Sequence, residues 1–536
     1  MHTTHLRHAA VPALCAALAA TAVVAGGIGR ADASTSGRNP IVRTHAGAVR
    51  GVAVTDGYAF RGLPYAASPT GALRWRPPQP AASWKGVRDG TGYAASCPQL
   101  PSAFAGPGPF SEDSLFLNVF TPTLRRNAKR PVVVWIHGGG FTQDASRNYD
   151  GSKLAAEGVV VVTINYRLGA LGFLAHSALA SQPGGPAGNY GLMDQQAALR
   201  WVRRNIRRFG GDPHNVTIAG QSAGGVSVLA HLVSPGSQGL FQRAVVQSGA
   251  FALNQLPLAS AEAFGESFAA SVGCADQSAA CLRNVPVDKL LDKFPGAAIP
   301  GVVDGKVLTE SIGSALAAGR FARVPILNGI VHDEELIFVA GLGLAVSGGT
   351  FVQVPAPVND DTYQGVIAAV LGTTPARAAA IAAQYPPAAY GGSALAALTV
   401  LVSDANFACP ALQVDRLTSK HVPTFAYEFD DDTAPQRIAP PEARLPAIAT
   451  HSSEIQYLLD QPNTPVPATL SPAQESLAMS MRTSWASFAA TGDPSSHSVA
   501  WPSFAHGERV LSLVTPRPAV MTGFAAIHNC TFWAAG

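Results

Sequence analysis

One short stretch constrains this chain more than any other. Val216-Thr217-Ile218-Ala219 is an apolar, β-rich run, Gly220-Gln221-Ser222-Ala223-Gly224 follows at once, and Ala223–Val233 reads as a helix ended by Ser234-Pro235. A strand, a glycine-flanked serine and a helix without a spacer demand a sharp, strained turn. Glycines two residues either side of Ser222 let strand and helix approach each other around it. The turn pushes the serine hydroxyl out of the sheet. It also aims the Ala223 N–H, at the positive end of the helix, toward the space the hydroxyl faces. Such a hydroxyl is placed to attack a carbonyl carbon, given a base to take its proton.

The surroundings fit a layered α/β fold. Val132–Ile136 and Gly158–Ile164 are runs typical of strands buried on both faces, as in a mainly parallel sheet. Further strands are expected at Ala244–Gln247, Val324–Asn328 and Thr424–Phe429, and a helix at Asp194–Arg208. Strands alternating with helices predict a central, mainly parallel sheet with helices on both faces. Leu253–Gly319 and the Gly/Ala/Pro-rich Gly341–Ala394 read as helical and loop insertions over one end of it. No linker divides the chain, so residues 34–536 are expected to form a single domain.

On a sheet with this turn, the partners follow in the order serine, acid, histidine. Asp333-Glu334-Glu335 follows the strand at Val324, and His451 follows the strand at Thr424. His231 sits in the helix leaving the serine, and His332 stands too near the acid to be its partner. His137-Gly138-Gly139-Gly140 ends an earlier strand, where glycines leave backbone N–H groups free to approach a developing oxyanion. Chemistry of this kind needs no metal and no organic cofactor.

The first 33 residues read as a leader. Arg7 and three histidines precede an apolar, Ala- and Gly-rich run, and Ala31-Asp32-Ala33 fits a small-x-small cleavage site. Secretion of the mature chain is therefore expected. No later segment reads as a membrane span. Only 13% of the 536 residues are charged and the net charge is +3, which favours neither nucleic acid nor an anionic membrane as partner. Five cysteines follow the leader, an odd number in an oxidising compartment, so at least one stays unpaired.

Taken together, the motifs resemble the type-B carboxylesterase family, from about Val42 to Trp533. Phe209-Gly210-Gly211-Asp212-Pro213 through Gly224 matches the family's serine signature. Glu112-Asp113-Ser114-Leu115-Phe116-Leu117-Asn118-Val119 matches its second signature, with Ser114 where the family usually has cysteine. Arg61–Tyr65, Asn165–Gly169 and Trp485–Ala489 match further motifs. The resemblance implies an α/β-hydrolase fold and hydrolysis of a small carboxylic ester through an acyl-enzyme. It implies Ser222 as nucleophile, His451 as base, Glu334 as acid, and the amides of Gly139, Gly140 and Ala223 as oxyanion donors.

Glu335 stands where the family often has glycine and Val331 where it often has asparagine, which leaves Glu335 as an alternative acid. Alignment on Gly329 and Asp333 favours Glu334. The resemblance further implies disulfides Cys274–Cys281 and Cys409–Cys530, with Cys97 unpaired because Ser114 replaces its partner. The loop from Cys97 to Ser114 holds Phe104 and Phe110 but no tryptophan, which argues against choline esters and for an open, apolar entrance. Lactonase, amidase or lipase chemistry on the same serine remains open, as does a non-catalytic binding role.

Overall fold

The computed structural model describes residues 39–180, 188–294, 301–438, 448–466 and 468–535, and the expected leader lies outside them. Eleven strands form the central sheet: β1 (Val52–Val54), β2 (Gly57–Pro64), β3 (Phe116–Thr121), β4 (Arg130–Ile136), β5 (Val160–Ile164), β6 (Gly211–Gln221), β7 (Arg243–Gln247), β8 (Ile326–Val331), β9 (Thr424–Phe429), β10 (Val510–Leu513) and β11 (Ala519–Met521). Their spatial order is β1-β2-β3-β5-β4-β6-β7-β8-β9-β10-β11. From β5 to β10 every neighbour is parallel, and antiparallel pairs close both edges. The expected mainly parallel α/β sheet is therefore present.

Alternation along one strand shows why two layers of helix are required. Val132, Val134 and Ile136 of β4 point into one core, with helices α1 (Tyr190–Asn205) and α2 (Ala223–Val233). Val133 and Trp135 point into the other, against Leu477, Met481 and Trp485 of helix α3 (Pro472–Thr491). A strand buried on both faces has no polar side to offer water.

The structure differs from the sequence reading in three places. β8 begins at Ile326 rather than Val324, because Pro325 has no N–H to enter the ladder. The insertion after Gly341 is not purely helix and loop: Leu344–Ser347 and Thr350–Gln353 form an antiparallel hairpin. Its two-residue turn is Gly348-Gly349, both at positive φ (58° and 85°), where glycine carries no steric penalty. Finally, the helical run Ala394–Thr418 is long and apolar enough, by length and composition, to cross a membrane, where no later span is expected from the sequence. Here its apolar side chains, among them Leu398, Leu401, Leu412 and Val414, are buried within the protein.

Candidate active site

The serine turn follows from local sterics. β6 ends at Gln221, α2 starts at Ala223, and Ser222 between them holds φ 58° and ψ −125°. That conformation is costly for a residue with a side chain and persists only where the surroundings enforce it. They do: Ser222 N–H donates to the Gln247 carbonyl of β7 at 2.9 Å, and its carbonyl accepts the Val226 N–H at 2.9 Å. A Cβ on Gly224 would collide with the Ile136 carbonyl, and one on Gly220 with the Gly224 backbone. Both positions therefore require glycine.

Two further loops converge on this turn. The segment after β8 and the segment carrying His451 are tied by a parallel bridge between Asp333 and Thr450, with Asp333 N–H donating to Ala449 O at 2.8 Å. This brings the buried Glu334 beside the imidazole. Glu334 Oε2 lies 2.5 Å from His451 Nδ1, and Oε1 accepts the Val331 N–H at 3.1 Å. Glu335 faces elsewhere: both its oxygens accept the Val346 N–H, at 3.0 and 3.2 Å. Of the two carboxylates left open by the sequence, the imidazole meets Glu334. Phe338 and Phe407 flank the ring, with centroids 4.9 and 5.4 Å away.

The second ring nitrogen has an unforeseen neighbour. With Nδ1–H donating to Glu334, Nε2 carries a lone pair, and the Gln221 amide nitrogen sits 3.1 Å from it. Among the described residues, no hydrogen bond joins the Ser222 hydroxyl to the imidazole. Both residues nonetheless line one cavity of about 310 Å³, together with Gly139 and Gly140. Phe104, Phe338, Leu342, Leu344, Phe351 and Ile438 make most of its apolar wall. Gly139 and Gly140 both have positive φ, 81° and 59°. Their N–H groups and that of Ala223 donate to no protein acceptor among the described residues.

Three other histidines are accounted for by their surroundings. His231 has both nitrogens engaged, by Ser237 and Gln195 at 2.9 Å each, and burial pushes its pKa down to about 3. His332 lies on Glu428 at 2.7 Å. His137 is buried and stacked on Tyr166. Sequence reasoning missed Glu454, which accepts from Gln247 at 3.0 Å. Burial, with the charge of Glu334 next, pushes its pKa up to about 7. Its place three residues after His451 was the available signal.

Disulfides join Cys274 to Cys281 and Cys409 to Cys530. Cys97 is free and buried; burial raises its thiol to about 12, which makes it a poor nucleophile.

Comparison with known proteins agrees with this geometry. The Carboxylesterase family pattern matches residues 38–533. The chain is 37% identical to the cocaine esterase of Oryctolagus cuniculus, covering 92% of this chain and 95% of that protein. It is 34% identical to the para-nitrobenzyl esterase of Bacillus subtilis (strain 168), covering 87% and 92%. A solved PNB esterase structure superposes with a TM-score of 0.76 at 31% identity, covering 92% of this chain and 99% of the other. With the fold, the strained serine turn and these likenesses in agreement over almost the whole length, the chain belongs to the carboxylesterase family and is a carboxylic ester hydrolase.

Proposed function

We propose that ester hydrolysis runs through an acyl-enzyme on Ser222, with His451 as base, Glu334 as its acid partner and three backbone amides as the oxyanion site. The observation that carries this reading is the 2.5 Å contact of His451 Nδ1 with Glu334, which leaves a basic nitrogen turned to the cavity that Ser222 lines. His451 Nε2 takes the Ser222 proton as Oγ attacks the ester carbonyl. The oxyanion is held by the N–H groups of Gly139, Gly140 and Ala223, each typically worth about 3–4 kcal/mol in a site of this kind. His451 then gives its proton to the departing alcohol. Water, deprotonated by His451, attacks the acyl-enzyme; the bond to Ser222 Oγ then breaks, His451 returns the proton to that oxygen, and the acid is released. Glu334 orients the ring and stabilises the imidazolium without taking its proton.

The Gln221 amide must yield its place on Nε2 to the Ser222 hydroxyl for the first step. Such hydrogen bonds commonly tighten only when substrate binds. The apolar cavity supports uncharged esters as substrates, and the absence of a tryptophan between Cys97 and Ser114 speaks against choline esters. We further read residues 34–536 as one hydrolase domain released by cleavage of a leader and secreted; the two disulfides suit an oxidising compartment.

Replacing Ser222 by Ala should abolish hydrolysis of 4-nitrophenyl esters and labelling by an organophosphonate, with folding retained. Appreciable turnover by that variant would overturn the nucleophile. Lactone, anilide and long-chain glyceride counterparts rank the neighbouring acyl-hydrolase activities.

A further inference from the structure

Glu335 is fully buried beside the reaction centre, yet the proposed mechanism gives it no task. Its carboxyl is spent on one peptide. Both oxygens receive the Val346 N–H, at 3.0 and 3.2 Å, while the carbonyl of Val346 accepts from Asn406 Nδ2 at 2.6 Å. Asn406 also donates to Val402 O at 3.1 Å, which anchors it to the helix behind. Val346 is thus gripped from both sides by buried or half-buried side chains rather than by a neighbouring strand on that edge.

Val346 belongs to the hairpin Leu344–Ser347/Thr350–Gln353, where it is the register partner of Phe351. Leu344 and Phe351 from this hairpin form part of the cavity wall. The Phe351 ring meets Phe338 edge-on at 5.0 Å, and Phe338 in turn meets His451 at 4.9 Å. Phe351 also covers the oxyanion loop: a methyl group on Gly140 would sit 3.2 Å from its ring edge. A two-strand hairpin has little stability of its own, so its position depends on what holds it.

We infer that Glu335, with Asn406, latches this hairpin by the Val346 peptide and thereby sets the width of the substrate cavity through Phe351. Glu335 is a positioning residue in this account and touches no substrate. Burial raises the pKa of its carboxyl above the ordinary carboxylate range, and the nearby Glu334 acts in the same direction, while the bond from the Val346 N–H opposes them. The inference rests on the proposed site at Ser222.

The test compares kcat and KM for 4-nitrophenyl benzoate and 4-nitrophenyl acetate in the full mature chain. Releasing the latch should widen the cavity, so Glu335→Ala raises the benzoate-to-acetate ratio of kcat/KM about tenfold, mainly through a lower KM for benzoate. Asn406→Ala, which leaves both glutamates in place, should shift the ratio in the same direction. Glu335→Gln keeps an acceptor for the Val346 N–H and should stay within about twofold of wild type. Phe351→Ala should reproduce the Glu335→Ala ratio, and the double variant should add nothing further.

An unchanged ratio in Glu335→Ala, or in Asn406→Ala should the former not fold, overturns the latch. An unchanged ratio in Phe351→Ala overturns the role of the wall. No turnover of either ester by wild type is a different failure, that of the site at Ser222 itself.

Discussion

Two acid–histidine arrangements draw on the ends of strands β8 and β9, and one of them shares a cavity with a strained serine. At the first, Glu334 takes Nδ1 of His451, and Nε2 is turned to a cavity with a strained serine on its wall. At the second, His528 has both nitrogens engaged: Nδ1 lies 2.6 Å from Asp404 and Nε2 lies 3.0 Å from Glu428. Glu428 also takes His332 at 2.7 Å, and Asp404 accepts the Tyr385 hydroxyl at 2.7 Å. A histidine whose two nitrogens both face carboxylates is held as a cation and has no lone pair to offer as a base. Proximity of acid and imidazole is common to both clusters. The first differs in that its second ring nitrogen meets the neutral Gln221 amide rather than a carboxylate, and in sharing a cavity with Ser222, the proposed nucleophile.

The contrast can be broken most sharply by removing one imidazole at a time. His451→Ala should lower kcat/KM for a 4-nitrophenyl ester by ~10⁴–10⁶ with little change in melting temperature. His528→Asn should do the reverse. It leaves two buried carboxylates short of a cation, a loss of roughly 3–5 kcal/mol by urea unfolding, while turnover below the melting temperature stays within a few-fold of wild type. Loss of activity without loss of stability in His528→Asn would erase the distinction.

The second cluster is also fastened covalently, and the same comparison covers that. The Cys409–Cys530 bond spans 121 residues and joins the segments that carry Asp404 and His528. Replacing both cysteines by serine should destabilise the protein by at most about 5 kcal/mol through the freed loop. In that background His528→Asn should cost less than it does in wild type, because the segments it joins are already loosened.

The second cluster also predicts a dependence of stability on pH. Bonding to Glu428 raises the pKa of His332 to about 9. For His528, burial opposes the charge, but the bonds from Asp404 and Glu428 outweigh it and raise its pKa to about 10. Asp333 and Asp430 face His332 from the adjoining loops and act in the same direction. Both histidines bind protons more tightly when folded, so their contribution is complete below the unfolded value near 6.5 and is lost as pH rises through 9 to 10. Glu428 is the mirror case: burial works against its charge, yet the two histidines hold it down to about 2. Its contribution is present above about 4.5 and is lost only as pH falls toward 2. The melting temperature should therefore fall between pH 6.5 and 10, and His528→Asn should flatten that slope.

The cluster proposed to react was more legible in the sequence than the closed one. Ser222 is announced by its own neighbours, because a strained strand-to-helix turn is a local event that glycines at 220 and 224 make possible. The glycines after His137 are legible for the same reason. The hairpin at Leu344 was not: its strands are four residues each, and it lies in a Gly/Ala-rich stretch with no strong alternation. Nor was the cluster around His528, whose members come from four separate segments and carry no spacing in common.

The sequence by itself determined the elements whose causes lie within a few residues: the buried strands, the serine turn and the glycine-lined loop. Only the tertiary structure decided that Glu334 rather than Glu335 meets the imidazole, that Gln221 sits on its other nitrogen, and that Glu335 holds a hairpin instead. Adjacent carboxylates are chemically alike, and what separates them is direction. The bridge between Asp333 and Thr450 sets that direction, and the two residues it joins lie more than a hundred positions apart in the chain.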